Sequence, residues 1–355
     1  MTPFDTGRTL ADRFRTHAGT STHLYGYAMR GMADDWESGG PVRRVCAGYE
    51  QAPTGSALQL RLLAGVFRLV LTGRAPQLAR FYPCLGGDEP ADQAWPHLRE
   101  VIGDHVEELR RALEVAPQTN EVGRCAALLA GLFDVVRAAD VERIVLLEVG
   151  ASAGLNLLVD RYGISGEGWR WGSHASPVQL DAAIIGAVRP VPISIAERRG
   201  CDLNPVDATT EAGRLLLTSF VWPFDLHRHH RLAAALELAQ TEPPRVDRAS
   251  ASDWLAARLT GERSSAGVLP VVWQSITRLY WPADEVRRVQ QVLDDFGAEH
   301  ELGQVCMEFP ADGSPGTQPE VRTTLWSPHR RPAVRRRLLG TAHDHGVPVR
   351  LAVEL

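Results

Sequence analysis

Apolar side chains recur at three- and four-residue intervals through the first 140 residues, the spacing that lines one face of an α-helix. In SALQLRLLAGVFRLVLTG these positions are Leu58, Leu62, Val66, Leu69 and Val70, after a start signal at Thr54 or Ser56. ADQAWPHLREVIGDHVEELRRALEV carries Leu98, Val101, Ile102, Val106, Leu109 and Leu113 on one face, and EVGRCAALLAGLFDVVRAA does the same from Cys125 to Val136. The pattern changes at residue 143. RIVLLEVG is a short branched and leucine-rich run ending in glycine, as expected of a strand buried on both faces of a parallel sheet. Beyond it, the strand candidates PVPISIAE, VLPVVWQS, LGQVCMEF, RTTLWS and VPVRLAVEL alternate with the helix candidates ATTEAGRLLL, RHHRLAAALELAQ, ADEVRRVQQVLDDFG and AVRRRLLGTAHDHG. This alternation predicts an α/β fold, a doubly wound sheet over residues 141–355 behind an all-helical domain over residues 1–140.

Composition narrows the chemistry. Of 355 residues, 38 are basic and 43 acidic, a net charge of −5, so the basic excess of a general nucleic-acid binder is missing. Every basic residue is arginine, which excludes Schiff-base and Walker-type lysine mechanisms. The opening MTPFDTGRTLADRFRTHAG has no apolar core of signal-peptide length, and no later stretch approaches a membrane span; the expectation is a cytoplasmic protein with no membrane partner. Five dispersed cysteines without a C-x-x-C pair read as buried thiols. His227, His229 and His230 beside Asp225 lack H-E-x-x-H spacing and read as a solvated helix start, so no metal is expected. The run Arg330, Arg331, Arg335, Arg336 and Arg337 reads as a solvated helix face. Trp169 and Trp171 either stack on a flat substrate or pack within the fold.

The most informative stretch is Leu147 to Asn156, LEVGASAGLN, a strand ending in a turn of small residues that is expected to open a helix. Small side chains let a ligand touch backbone, and amides at a helix start favour an anionic group. The dinucleotide fingerprint G-x-G-x-x-G is broken by Ser152 and Leu155, which disfavours NAD and FAD. Glu148, Gly150, Ser152 and Gly154 resemble the first motif of Rossmann-like S-adenosylmethionine-dependent methyltransferases, with Ser152 in place of the central glycine. The resemblance implies that Glu148 and the turn hold the methionine part of that cofactor. RGCDLNP resembles the end of the family's second strand, which would put Asp202 on the ribose hydroxyls; Asp181 competes for that role. Asp202 lies 48 residues beyond Gly154 (202 − 154), so an insertion near residues 163–190 is expected. ASDWL resembles the third motif, with Asp253 toward the adenine. The Asn/Asp-Pro-Pro-aromatic signature of enzymes that methylate nucleobase or amide nitrogen is absent at Trp273–Ser275.

The same turn also reads as G-x-S-x-G, a nucleophile elbow that would make Ser152 the nucleophile and His343 or His345 the base of a serine hydrolase. No HGGG-type oxyanion string precedes it, and Glu148 has no role in that chemistry. Asn120, Glu121 and Arg124 crowd the start of an apolar helix, either as caps or as substrate contacts. Gln274 and Glu308 close strand candidates, where open sheets bind ligands. Over most of its length the chain resembles a bacterial family known as domain of unknown function 2332, through Tyr82-Pro83, QTNEVGR, LLEVGASAGLNLLVDRYG, RGCDLNPVD, Val221-Trp222-Pro223 with Arg231, and AHDHG. These resemblances imply a methyltransferase-like fold and no assigned substrate. The expectation is a transferase using S-adenosylmethionine on a small molecule, with a serine hydrolase and a catalytically silent binding protein as the alternatives.

Overall fold

The computed structural model describes residues 8–53, 56–261, 267–310 and 317–355. Contacts divide the chain into two units, one of Asn120–Thr209 with Arg231–Leu355 and one of Thr210–His230 with the chain before Asn120. The boundaries between the two thus fall at 119/120, 209/210 and 230/231.

The helical unit contains α1 (Leu10–Ala18), α2 (Leu24–Glu37), α3 (Pro41–Val45), α4 (Leu58–Leu71), α5 (Pro76–Ala79), α6 (Trp95–Asp104) and α7 (Val106–Ala112). Thr9 and Asp12 exchange hydrogen bonds as a capping box at α1. The expected start signal Ser56 lies just ahead of α4, and Thr54 falls outside the described residues. One long helix was expected over residues 91–115; the chain instead breaks at His105 (φ −120°, ψ 29°) into α6 and α7. The core includes Phe14, Met29, Met32, Leu62, Phe67 and Tyr82, against which Trp222 and Phe224 pack.

The other unit begins with α8 (Cys125–Ala139) and carries an eleven-stranded mixed sheet among the described residues. Its strands are β1 (Arg143–Val149), β2 (Gly163–Gly166), β3 (Trp169–Gly172), β4 (Gln179–Ile185), β5 (Ser194–Asp202), β6 (Val246–Arg248), β7 (Val268–Ser275), β8 (Leu302–Glu308), β9 (Glu320–Trp326), β10 (Val334–Ala342) and β11 (Val349–Leu351). The helices of the second half are α9 (Glu211–Ser219), α10 (Leu226–Thr241), α11 (Ala251–Gly261) and α12 (Ala283–Glu299). Strand order is β3-β2-β4-β11-β10-β9-β8-β7-β1-β5-β6. The run β8-β7-β1-β5-β6 is parallel throughout, whereas β9, β10 and β11 continue antiparallel from β8. After β1 the chain forms β2, β3 and β4 at the far end of the sheet, comes back beside β1 for β5 and β6, then takes the opposite side of β1 for β7 and β8, so the strand order reverses between β1 and β7.

Alternation of side chains gives each sheet face its own cover. Val145, Leu147 and Val149 pack with Val272 and Leu302 against Leu255 of α11 and Leu293 of α12. On the other face Val305 meets Gly131 of α8. The expected helix AVRRRLLGTAHDHG is instead β10. Arg335 and Arg337, two residues apart and therefore on one strand face, converge on buried Asp134 of α8 at 2.8 and 2.5 Å, and Thr323 donates to it at 2.7 Å. These arginines neutralise a carboxylate inside the fold rather than lining a solvated helix. Trp169 and Trp171 of β3 pack edge-on against Phe133 of α8. The expected insertion forms β2, β3 and β4 at the far end of the sheet. The five cysteines are free thiols. Among the described residues no helix is long and apolar enough to cross a membrane.

Candidate functional site at the carboxyl edge of the parallel strands

The small-residue turn sits where the strand order reverses, and its backbone alternates into the left-handed region: Gly150 at φ 68°, Ser152 at 53° and Gly154 at 72°. Glycine adopts this region freely, whereas serine bears a steric cost there. A Cβ on Gly154 would meet Pro244 Cβ and Val246 Cγ2 at 2.8 Å, and one on Gly150 would strike the Thr277 side chain. The first and third small positions are therefore required by the protein's own packing.

Most amides of the turn are already engaged. Ala151 N donates to Cys201 O at 3.0 Å, Gly154 N to Ala151 O at 2.7 Å, and Leu155 N to Asn120 Oδ1 at 2.9 Å. A 3-10 segment, Leu155–Arg161, kinked at Leu158, follows where a regular helix was expected. The anion-binding helix start inferred from the sequence is thus replaced by a short coil whose first amide is capped by Asn120.

Asp202 ends β5, the neighbour of β1. Its Oδ2 accepts Ser152 N at 2.9 Å and its Oδ1 accepts Asn204 N at 2.8 Å, which places a partly exposed carboxylate on the apex of the turn. Asp181 lies on β4, separated from β1 by five intervening strands, and pairs with Arg170 at 2.7 Å. Only Asp202 is brought to the turn. Next to it Leu203 is 64% exposed.

Glu148 lies on the α8 face beneath the turn and is 2% exposed. Asn156 Nδ2 donates to its Oε1 at 3.3 Å, while Oε2 finds no hydrogen-bond partner among the described residues. Burial pushes this carboxyl up to about 8, and the nearby Asp202 charge acts in the same direction. Glu148 therefore underlies the turn rather than lining its outer surface.

On the other side of the reversal, Gln274 Nε2 donates to Glu308 Oε1 at 3.1 Å, and Thr277 adds its N at 3.0 Å and its hydroxyl at 3.1 Å. Because the Thr277 side chain also abuts Gly150, the Gln274–Glu308 pair is linked to the turn through one residue. Arg124 joins the edge too, donating to Ser275 O and Asp344 O at 3.2 Å each. Glu121 caps the short 3-10 segment Val122–Arg124 by accepting Gly123 N at 3.0 Å, and it pairs with Arg231 at 3.1 Å. Of the three residues crowding this helix start, Glu121 is thus the cap, and Asn120 caps the segment after the turn instead.

Asp253 stands apart, on α11 after β6; its N donates to Ser250 Oγ at 3.3 Å and its Oδ2 accepts the Ser250 hydroxyl at 2.6 Å, a local cap at the helix start. The S-x-x-D spacing of Ser250 and Asp253 carried that signal in the sequence. Of the hydrolase candidates, His343 Nδ1 lies 2.6 Å from Asp344 Oδ1 and receives His345 N at 3.2 Å. Sequence reasoning missed Ile276 and Thr277. Ile276 is a β-branched residue at φ 51°, and nothing in QSITRLY announces it. A cavity of about 520 Å³ opens at the amino end of β5, away from Asp202; in its wall Arg198 and Asp160 already pair at 2.7 Å. Among the described residues no group of three or more His, Cys, Asp or Glu is placed to hold a metal ion.

A helical region followed by a mixed, mostly parallel sheet, with polar groups gathered where the strand order reverses, is the class of protein that fold and site define. The chain belongs to the family described as uncharacterized proteins conserved in bacteria, DUF2332, whose model matches residues 8–350. No curated protein and no solved structure matches it.

Proposed function

We propose that this protein binds S-adenosylmethionine at the reversal between β1 and β7 and transfers its methyl group to a small molecule. The reading takes β6-β5-β1-β7-β8 as a Rossmann-like sheet, in which ligands occupy the crevice at the carboxyl ends of the strands where the order switches. The observation that carries it is the Asp202 carboxylate, delivered by the strand next to β1 onto the apex of the small-residue turn. A carboxylate in that position suits the two vicinal hydroxyls of a ribose, and its present partners are two backbone amides. The residues fit the nucleoside half of the cofactor.

When bound, the cofactor supplies a methyl carbon made electrophilic by a sulfonium. Asp202 would orient the sugar, the Gly150–Gly154 turn would set the depth of approach, and exposed Leu203 offers apolar cover beside the carboxylate. Glu148 and Asn120 hold the turn from below and from its exit. The chain's contribution is positioning and exclusion of water, which suits a reaction whose leaving group is already activated. Calorimetric titration with S-adenosylhomocysteine tests the reading: one saturable site per chain is expected, and absence of binding overturns it.

A further inference from the structure

Glu308 closes β8 at the same edge, on the face covered by α11 and α12, and is 5% exposed. Four donors converge on its Oε1, from Gln274 Nε2, Thr277 N, the Thr277 hydroxyl and, at 3.5 Å, Arg278 N, and Gln304 Nε2 reaches Gln274 Oε1 at 3.4 Å to complete a buried polar ladder. The other oxygen, Oε2, is buried and has no hydrogen-bond partner among the described residues. A carboxyl serving only to tether the chain after β7 would have both oxygens satisfied, as buried polar groups generally do.

Two further observations set this carboxyl apart from a structural tether. Ile276, between Ser275 and Thr277, is held at φ 51° with its N donating to Met307 O at 2.9 Å. Strain of this kind in a β-branched residue is uncommon and gathers at ligand clamps and active sites. The strained segment delivers Thr277, whose side chain touches Glu308 on one side and Gly150 on the other. Glu308 and the cofactor turn therefore share one wall.

We propose that Glu308 Oε2 is the recognition point for a cationic nitrogen, so that the small molecule acted on at this edge is an amine or a guanidine. The inference rests on the methyl-transfer reading of the site and deepens it. One oxygen is saturated and fixed, which aims the other; an N–H group bearing positive charge supplies both the missing hydrogen bond and the counter-charge that a buried carboxylate needs. Burial raises the Glu308 carboxyl above its ordinary range in spite of the donors on Oε1 and the positive charge of nearby Arg278, which does not hydrogen-bond Oε2. An anionic ligand would meet Glu308 and Asp202 on the same edge.

Calorimetry on the intact protein with n-butylamine and methylguanidine, and with acetate as the anionic control, tests this. Saturable binding of at least one cation is expected, with no binding of acetate, and Glu308→Gln should weaken the cation roughly tenfold or more while leaving S-adenosylhomocysteine binding unchanged. Failure of both cations to bind, or equal affinity in the variant, overturns the proposal. An infrared difference spectrum of the wild-type protein gives a second reading that does not depend on the variant's folding. Cation binding should perturb the carboxyl or carboxylate bands of the wild type, and an unchanged carboxyl and carboxylate region overturns the proposal as well. Cation binding without S-adenosylhomocysteine binding would sink only the methyl-transfer reading; the reverse result would sink only this one.

Discussion

Glu148→Gln tests the placement of a neutral carboxyl beneath the turn. Asn156 can still donate to the glutamine oxygen, and the remaining oxygen of Glu148 has no hydrogen-bond partner to lose among the described residues. The folded-state value of about 8 lies above the ordinary 4.5, so the native protein keeps a proton that the unfolded chain releases. The stabilising contribution of that proton is complete below 4.5 and is lost as pH rises toward 8. At 1.36 kcal/mol per unit, the penalty between pH 4.5 and pH 7 comes to about 3 kcal/mol. Urea unfolding of wild-type protein and variant, measured from pH 5 to pH 8, reads the difference directly. The wild type should lose stability relative to Glu148→Gln with a slope approaching one proton, and the variant should be the more stable protein at pH 8. Parallel curves would refute the reasoning, because they would mean that Glu148 is solvated or paired.

Asp134→Ala removes the carboxylate on which Arg335, Arg337 and Thr323 converge, and stranding two half-buried arginines should cost roughly 2–4 kcal/mol and lower the melting temperature by about 5–10 °C. Burial opposes ionisation of Asp134, yet the bonds from Arg335 and Thr323 hold its carboxyl below the usual value, so its contribution is present at neutral pH and disappears on acidification through that lowered value. Ser152→Gly relieves a left-handed serine at about 1–2 kcal/mol and returns part of that through unfolded-chain entropy; stability should stay within about 1 kcal/mol of wild type, with S-adenosylhomocysteine still bound. Loss of that binding would assign the serine hydroxyl a role the present account does not give it.

The parallel centre of the fold was legible because buried strands are short and apolar: β1, β7 and β8 lie where RIVLLEVG, VLPVVWQS and LGQVCMEF predicted them. The turn was legible from residue types alone, and Asp202 entered as one of two candidate carboxylates beside it. The choice between Asp181 and Asp202 was not, since it depends on strand order; the 48-residue spacing that weakened Asp202 is taken up by β2, β3 and β4 at the far end of the sheet. The β10 segment misled because its arginines imitate a solvated helix, and the partner that makes a strand of them, Asp134, is two hundred residues away in sequence. At Asp253 the resemblance to a ligand-contact motif coincides with a local pattern, its hydrogen bonds with Ser250 at the start of α11. Ile276 and Thr277 carried no sequence signal, because strain at φ 51° is imposed by the ends of β7 and β8 together.

The account stands most directly on the Asp202 carboxylate as the ribose clamp. S-adenosylhomocysteine titrated into wild-type protein, Asp202→Asn and Asp181→Asn should bind the first and third alike. It should bind the second about tenfold to a hundredfold more weakly, the loss expected for hydrogen bonds to a charged acceptor. Equal affinity in all three proteins, or a loss confined to Asp181→Asn, would contradict the account.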